Sequence, residues 1–85
     1  MKVMFTETAW QDYLWFLGDD KQLLKRVNDL IKDVTRNPFT GLGKPEPLKE
    51  NLSGYWSRRV NDQHRFVYQI SENTVKIISC RYHYH

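Results

Sequence analysis

A chain of 85 residues, 40% hydrophobic and carrying three Trp, five Tyr and four Phe, can build one aromatic-rich core. That size leaves no room for a second module, and the composition excludes a disordered chain. Thirteen Lys and Arg against ten Asp and Glu leave a net charge of +3, which suits an anionic partner. The only cysteine, Cys80, rules out an internal disulfide and points to a reducing compartment. The start reaches Glu7 too soon for a signal peptide, and the longest apolar run, Tyr13 to Leu17, is too short to cross a bilayer. A soluble, cytoplasmic single domain over residues 1–85 is expected, with no membrane association.

Lys2 to Phe5 is short and β-prone, and Thr6 followed by Glu7 is a helix start, so a strand leads into a helix. Trp10, Tyr13, Leu14 and Leu17 fall at i, i+3, i+4 and i+7 and predict one buried stripe, with Gly18 ending the helix. Beyond Asp19 and Asp20, the spacing of Leu23, Val27, Leu30, Ile31 and Val34 predicts a second, longer helix that stops at Asn37 and Pro38. Phe39 to Ser53, with Gly41, Gly43, Pro45 and Pro47, has neither periodicity and is expected to be an ordered loop of functional length. Tyr55 to Val60, Arg65 to Ile70 and Thr74 to Cys80 read as strands joined by turns at 61–63 and 71–73. The order βααβββ predicts an α+β fold, two antiparallel helices on a mainly antiparallel sheet.

The charge is unevenly spread. Arg58, Arg59, His64, Arg65 and Arg81 fall in the second half, where Asp62 and Glu72 are the only acids after Gly54. Alternation along a strand turns Phe66, Tyr68 and Ile70 towards the helices and Arg65, Val67 and Gln69 away, while Trp56 and Val60 oppose Ser57 and Arg59. Arg59 and Arg65 are thereby expected on the open sheet face, where a nucleic-acid backbone can lie. The chain then ends in Arg81, Tyr82, His83, Tyr84 and His85, side chains that stack on bases and transfer protons.

Cleavage of an RNA phosphodiester by its own 2′-hydroxyl needs a base, cations at the phosphorane and an acid for the leaving oxygen. Glu46, held between Pro45 and Pro47 on a stiffened loop, is the candidate base. The plainer alternative, a surface charge or the cap of a turn begun by Pro47, stays open at this level. His83 is the candidate acid, since imidazole titrates near neutral pH, with an inert surface histidine as the alternative. Arg65, Arg59 and Lys49 are candidate phosphate-binding cations, or else solvated strand residues. Cys80, His83 and His85 make a poor zinc set, one ligand short and interrupted by Arg81, and neither a paired-magnesium carboxylate cluster nor a GK[ST] phosphate loop is present. No metal or other cofactor is expected.

The combination of KPEPLK (44–49), LSGYWSRR (52–59), His64 with Arg65, and CRYHY (80–84) resembles the YoeB (Txe) toxins of the RelE-like superfamily, along essentially the whole chain. The resemblance implies a metal-independent endoribonuclease, an mRNA interferase that cuts messenger in the ribosomal decoding site and stops translation. By position it implies Glu46 as general base, His83 as general acid, Arg65 on the scissile phosphate, Tyr84 as the aromatic placing the nucleotide, and Lys49 and Arg59 as supporting cations. It also implies a YefM-like antitoxin partner, homodimerisation, and contact with operator DNA only through the antitoxin complex. His85 lies beyond the usual family ending and is expected to be spare. The alternative, drawn from the basic face alone, is a module that binds RNA or antitoxin and acts by occlusion.

Overall fold

The computed structural model describes residues 1–82. In chain order these form β1 (Lys2–Phe5), α1 (Glu7–Asp19), α2 (Lys21–Arg36), β2 (Glu46–Pro47), β3 (Trp56–Arg59), β4 (Arg65–Ser71) and β5 (Thr74–Ser79), with one 3-10 turn at Glu50–Leu52. Each helix starts where its capping residue allows. The Thr6 hydroxyl accepts from Ala9 N–H at 3.1 Å to open α1, and the Asp20 carboxylate accepts from Leu23 N–H at 3.1 Å to open α2. Asn37 N–H closes α2 on Asp33 O at 2.7 Å, and Pro38 prevents continuation. Among the described residues no helix is long and apolar enough to cross a membrane.

The sheet has the order β1-β5-β4-β3-β2, with β1 parallel to β5 and every other pair antiparallel. The β4–β5 hairpin turns through Glu72 and Asn73, both with positive φ (51° and 57°), the backbone that matches the right-handed twist of the flanking strands. Strand β2 was not legible in the sequence because two paired residues are too few to show a period. Its Pro47 lacks a backbone donor, and an edge strand tolerates that loss.

Helix α2 buries the stripe its spacing predicts, with Val27, Leu30 and Val34 inaccessible. Helix α1 does not. Trp10, Leu14 and Leu17 are exposed, and the sheet-facing stripe is Ala9 and Phe16, with Asp12 and Tyr13 partly covered. Helix α1 is apolar on nearly all sides, so periodicity offers two stripes, and close approach decides between them. Ala9 is small enough to let the helix settle onto β5. Its neighbour Trp10 instead stacks on Tyr13 and packs edge-on against Phe5. Phe66, Tyr68, Val75 and Ile77 complete the core from the sheet side.

Candidate functional site

Glu46 sits on the exposed edge strand β2, directly opposite Ser57, which is itself opposite Val67. Arg59 lies opposite Arg65. Paired residues share a sheet face, and so do residues two apart on one strand, so Glu46, Ser57, Val67, Arg59 and Arg65 all occupy one face. Two strand spacings across and two residues along put the Glu46 and Arg65 backbones roughly 12 Å apart. Their side chains can span that gap towards a group the size of a phosphodiester.

The loop that carries Glu46 is held at both ends. Arg59 N–H donates to Gly43 O at 2.7 Å, and Leu48 N–H donates to Tyr55 O at 2.9 Å. Gly43 has φ +78°, and a Cβ there would stand 2.9 Å from Arg59 O, so the close approach requires glycine. Lys49 lines the same shallow groove as Glu46, together with Pro47, Leu48 and Leu52. Arg65 uses Nη1 to donate to Asn61 O at 2.7 Å and His64 O at 3.0 Å, which fixes the guanidinium without neutralising it. Arg59 pairs with the fully exposed Asp62 at 2.7 Å. Two arginines directly across a strand pair repel, and an anion between them would relieve that repulsion.

Two members of the sequence's basic cluster do not belong to this face. Arg58 is completely buried and points towards the helices. Its guanidinium donates to Tyr68 Oη at 3.2 Å, Asp33 Oδ2 at 2.6 Å, Leu42 O at 3.1 Å, Thr40 O at 2.9 Å and Asn37 O. All five N–H donors are thus directed at acceptors, three of them carbonyls of the segment that leads into the Glu46 loop. His64 is buried against Phe16, Trp15 and the Tyr82 ring. The parity that turns Arg59 outward turns Arg58 inward. That alternation was available in the sequence, but Asp33, the acid Arg58 meets from α2, carries no local signal there.

Asp33 is held below its ordinary value of 3.8, first by the Leu42 N–H and then by the Arg58 guanidinium. Asp12, on the sheet-facing side of α1, is raised because burial outweighs the Cys80 and Arg81 N–H groups it accepts from. Burial, aided by Asp12, pushes the Cys80 thiol up to about 12, so Cys80 is a packed, inert residue just past β5. Among the described residues there is no group of three or more His, Cys, Asp or Glu suited to a metal ion. His83, Tyr84 and His85, the sequence-derived acid, stacking residue and extension, lie outside the described residues.

Residues 5–84 match the family model described as YoeB-like toxin of bacterial type II toxin-antitoxin system. A relative named Toxin YoeB from Synechocystis sp. is 64% identical over 84 residues, covering 99% of this chain and 98% of its own. A solved YoeB/ParE toxin from Agrobacterium tumefaciens superposes with a TM-score of 0.96 at 46% identity, covering 99% of this chain and all of the other. The Staphylococcus aureus YoeB, solved as a YoeB–YefM complex and as a YoeB dimer, matches with TM-scores of 0.91 at 46% and 47% identity, covering 99% of this chain and 98% of the other in both cases.

Proposed function

Because the chain belongs to the YoeB-like toxins of bacterial type II toxin-antitoxin systems, we propose that it is a ribosome-dependent endoribonuclease that cuts messenger RNA in the decoding site. The observation that carries this reading is the common sheet face of Glu46, Arg59 and Arg65. Glu46 takes the proton of the RNA 2′-hydroxyl as the O2′–P bond forms. Arg65, supported by Arg59 and Lys49, binds the phosphoryl oxygens and stabilises their growing charge. As the P–O5′ bond breaks, His83 protonates the leaving oxygen, which leaves a 2′,3′-cyclic phosphate and a 5′-hydroxyl. Tyr84 stacks on the nucleotide. Atoms and charge balance with no metal or redox partner.

By analogy with the S. aureus complex and dimer, the chain pairs with a YefM-like antitoxin and self-associates as a homodimer. Its location is then the cytoplasm, where translating ribosomes are found. The test is messenger cleavage on translating ribosomes with a chelator present. Wild type is expected to cleave, and Glu46→Gln to slow cleavage by about 10² to 10⁴, the share of one acid-base group. Equal translational arrest by wild type and Glu46→Gln, without cut messenger, would replace catalysis by occlusion.

A further inference from the structure

Past β5 the chain is held by side chains rather than by a strand ladder. Cys80 N–H donates to Asp12 Oδ2 at 3.0 Å. The Arg81 guanidinium lies 3.9 Å from the Trp15 ring centre and 4.6 Å from that of Tyr82. At Tyr82 both backbone groups are used. Its N–H donates to His64 Nδ1 at 2.7 Å, and its carbonyl accepts from Arg65 N–H at 3.0 Å. Tyr82 itself has φ +61°, a left-handed conformation that a non-glycine residue adopts only when its surroundings impose it.

We propose that His64 is a positioning residue: its Nδ1 lone pair captures the Tyr82 amide and so fixes the point from which His83 and Tyr84 continue, beside the phosphate-binding Arg65. The geometry dictates the tautomer. A ring that accepts at Nδ1 is neutral and carries its proton on Nε2. Phe16, edge-on with ring centres 5.4 Å apart, and Trp15, at 6.2 Å, hold the imidazole plane, so the acceptor is aimed before the tail arrives. Sequence neighbours thus engage the two backbone polar groups of one residue: His64 takes the Tyr82 N–H and Arg65 gives its own N–H to the Tyr82 carbonyl. The Arg65 side chain in turn donates to the His64 carbonyl, which ties the clamp to the phosphate site. What the clamp serves rests on the ribonuclease reading, whereas the clamp itself can be measured without it.

The test uses His64→Asn, whose Oδ1 replaces the Nδ1 acceptor, and His64→Phe, which keeps the ring packing and removes the acceptor. Amide hydrogen exchange at Tyr82 is read by NMR on the purified protein, and single-turnover cleavage is read at saturating ribosomes. The Tyr82 amide is expected to be protected in wild type and His64→Asn, and to exchange about ten-fold faster or more in His64→Phe. The cleavage rate of His64→Phe is expected to fall by about 10², the cost of misplacing a catalytic group by an ångström, with ribosome affinity unchanged and the Asn variant largely rescued. An unprotected Tyr82 amide in wild type overturns the proposal, and that measurement holds even if the Phe variant does not fold. Wild-type cleavage and protection in His64→Phe overturn it too, since ring packing alone would then explain His64. If exchange follows the acceptor while wild type cleaves nothing, the clamp stands and the ribonuclease reading falls.

Discussion

Replacing Arg58 by methionine removes a cation of similar length from a site with no solvent access. Five acceptors lose their donor, and their fates differ. Tyr68 Oη keeps its own bond to Pro38 O at 2.6 Å. The carbonyls of Asn37, Thr40 and Leu42 belong to exposed residues and can meet water once the segment loosens. Asp33 is the costly one, with a side chain 19% accessible and left with the Leu42 N–H at 2.9 Å and Asn37 Nδ2 at 3.4 Å. Orphaning one partner of a buried pair costs about 3–5 kcal/mol, and partial rehydration of Asp33 and the loop sets the expected loss near the lower end, about 3 kcal/mol. A domain of this size is stable by roughly 4–13 kcal/mol, so a large fraction of the total is at stake. With a urea m-value of about 1 kcal/mol/M, the unfolding midpoint of Arg58→Met should drop by about 3 M. Arg58→Lys should fall between, because one ammonium replaces a fork that reaches acceptors on three sides. Adding Asp33→Asn to Arg58→Met should return about 1 kcal/mol by removing the stranded charge. A midpoint shift below about 0.5 M for Arg58→Met would refute the reasoning, because the network would then merely break even with an apolar side chain.

Asp33 ties the same network to pH. Its carboxyl is lower in the fold than its ordinary value of 3.8, so its contribution is fully present above that value and is lost as pH falls through the lower folded one. Acid unfolding followed by circular dichroism should therefore steepen below pH 3.8, and Asp33→Asn should flatten that limb; identical acid limbs would exclude the assignment. Cys80, buried and pushed up to about 12, should not react with a thiol reagent at pH 8 until the protein is unfolded, and stoichiometric labelling of the native protein would contradict its burial. Arg59→Thr should leave the unfolding midpoint unchanged or higher, by relieving the repulsion with Arg65, while slowing cleavage by about ten-fold. A lower midpoint would mean that the pairing of Arg59 with Asp62 is structural.

The sequence carried most of the topology because the turns and caps are written in local chemistry: Thr6, Asp20, Pro38 and Asn73 act where they stand. It misplaced α1's buried face because a helix with Trp10, Tyr13, Leu14, Trp15, Phe16 and Leu17 offers apolar residues on more than one side, and the fit of Ala9 against β5 selects the face. Strand alternation correctly sent Arg59 and Arg65 outward. Arg58 and His64 belong to the same basic run but are buried, which composition does not show because it counts charge without direction. Both side chains find their partners from afar, Arg58 at Asp33 and His64 at the Tyr82 amide, and no local pattern announces contacts 25 and 18 residues apart.

These two buried polar groups explain how so small a domain keeps an exposed site in order. Glu46 stands on a two-residue edge strand, which is marginal by itself. Arg58 secures the carbonyls of Asn37, Thr40 and Leu42 just ahead of it, and the backbone of its neighbour Arg59 holds Gly43. On the other side, His64 and the backbone of its neighbour Arg65 hold Tyr82. The same construction is used twice: one residue of each adjacent pair is buried as an anchor and the next is presented on the open face as a cation. An anchor and a cation that are adjacent in the chain cannot drift apart, so fixing the anchor fixes the cation's backbone relative to the segment it serves. Exchanging the order of either pair would send the charge into the core and the anchor to solvent, which makes the alternation itself, rather than the number of basic residues, the determinant of the site.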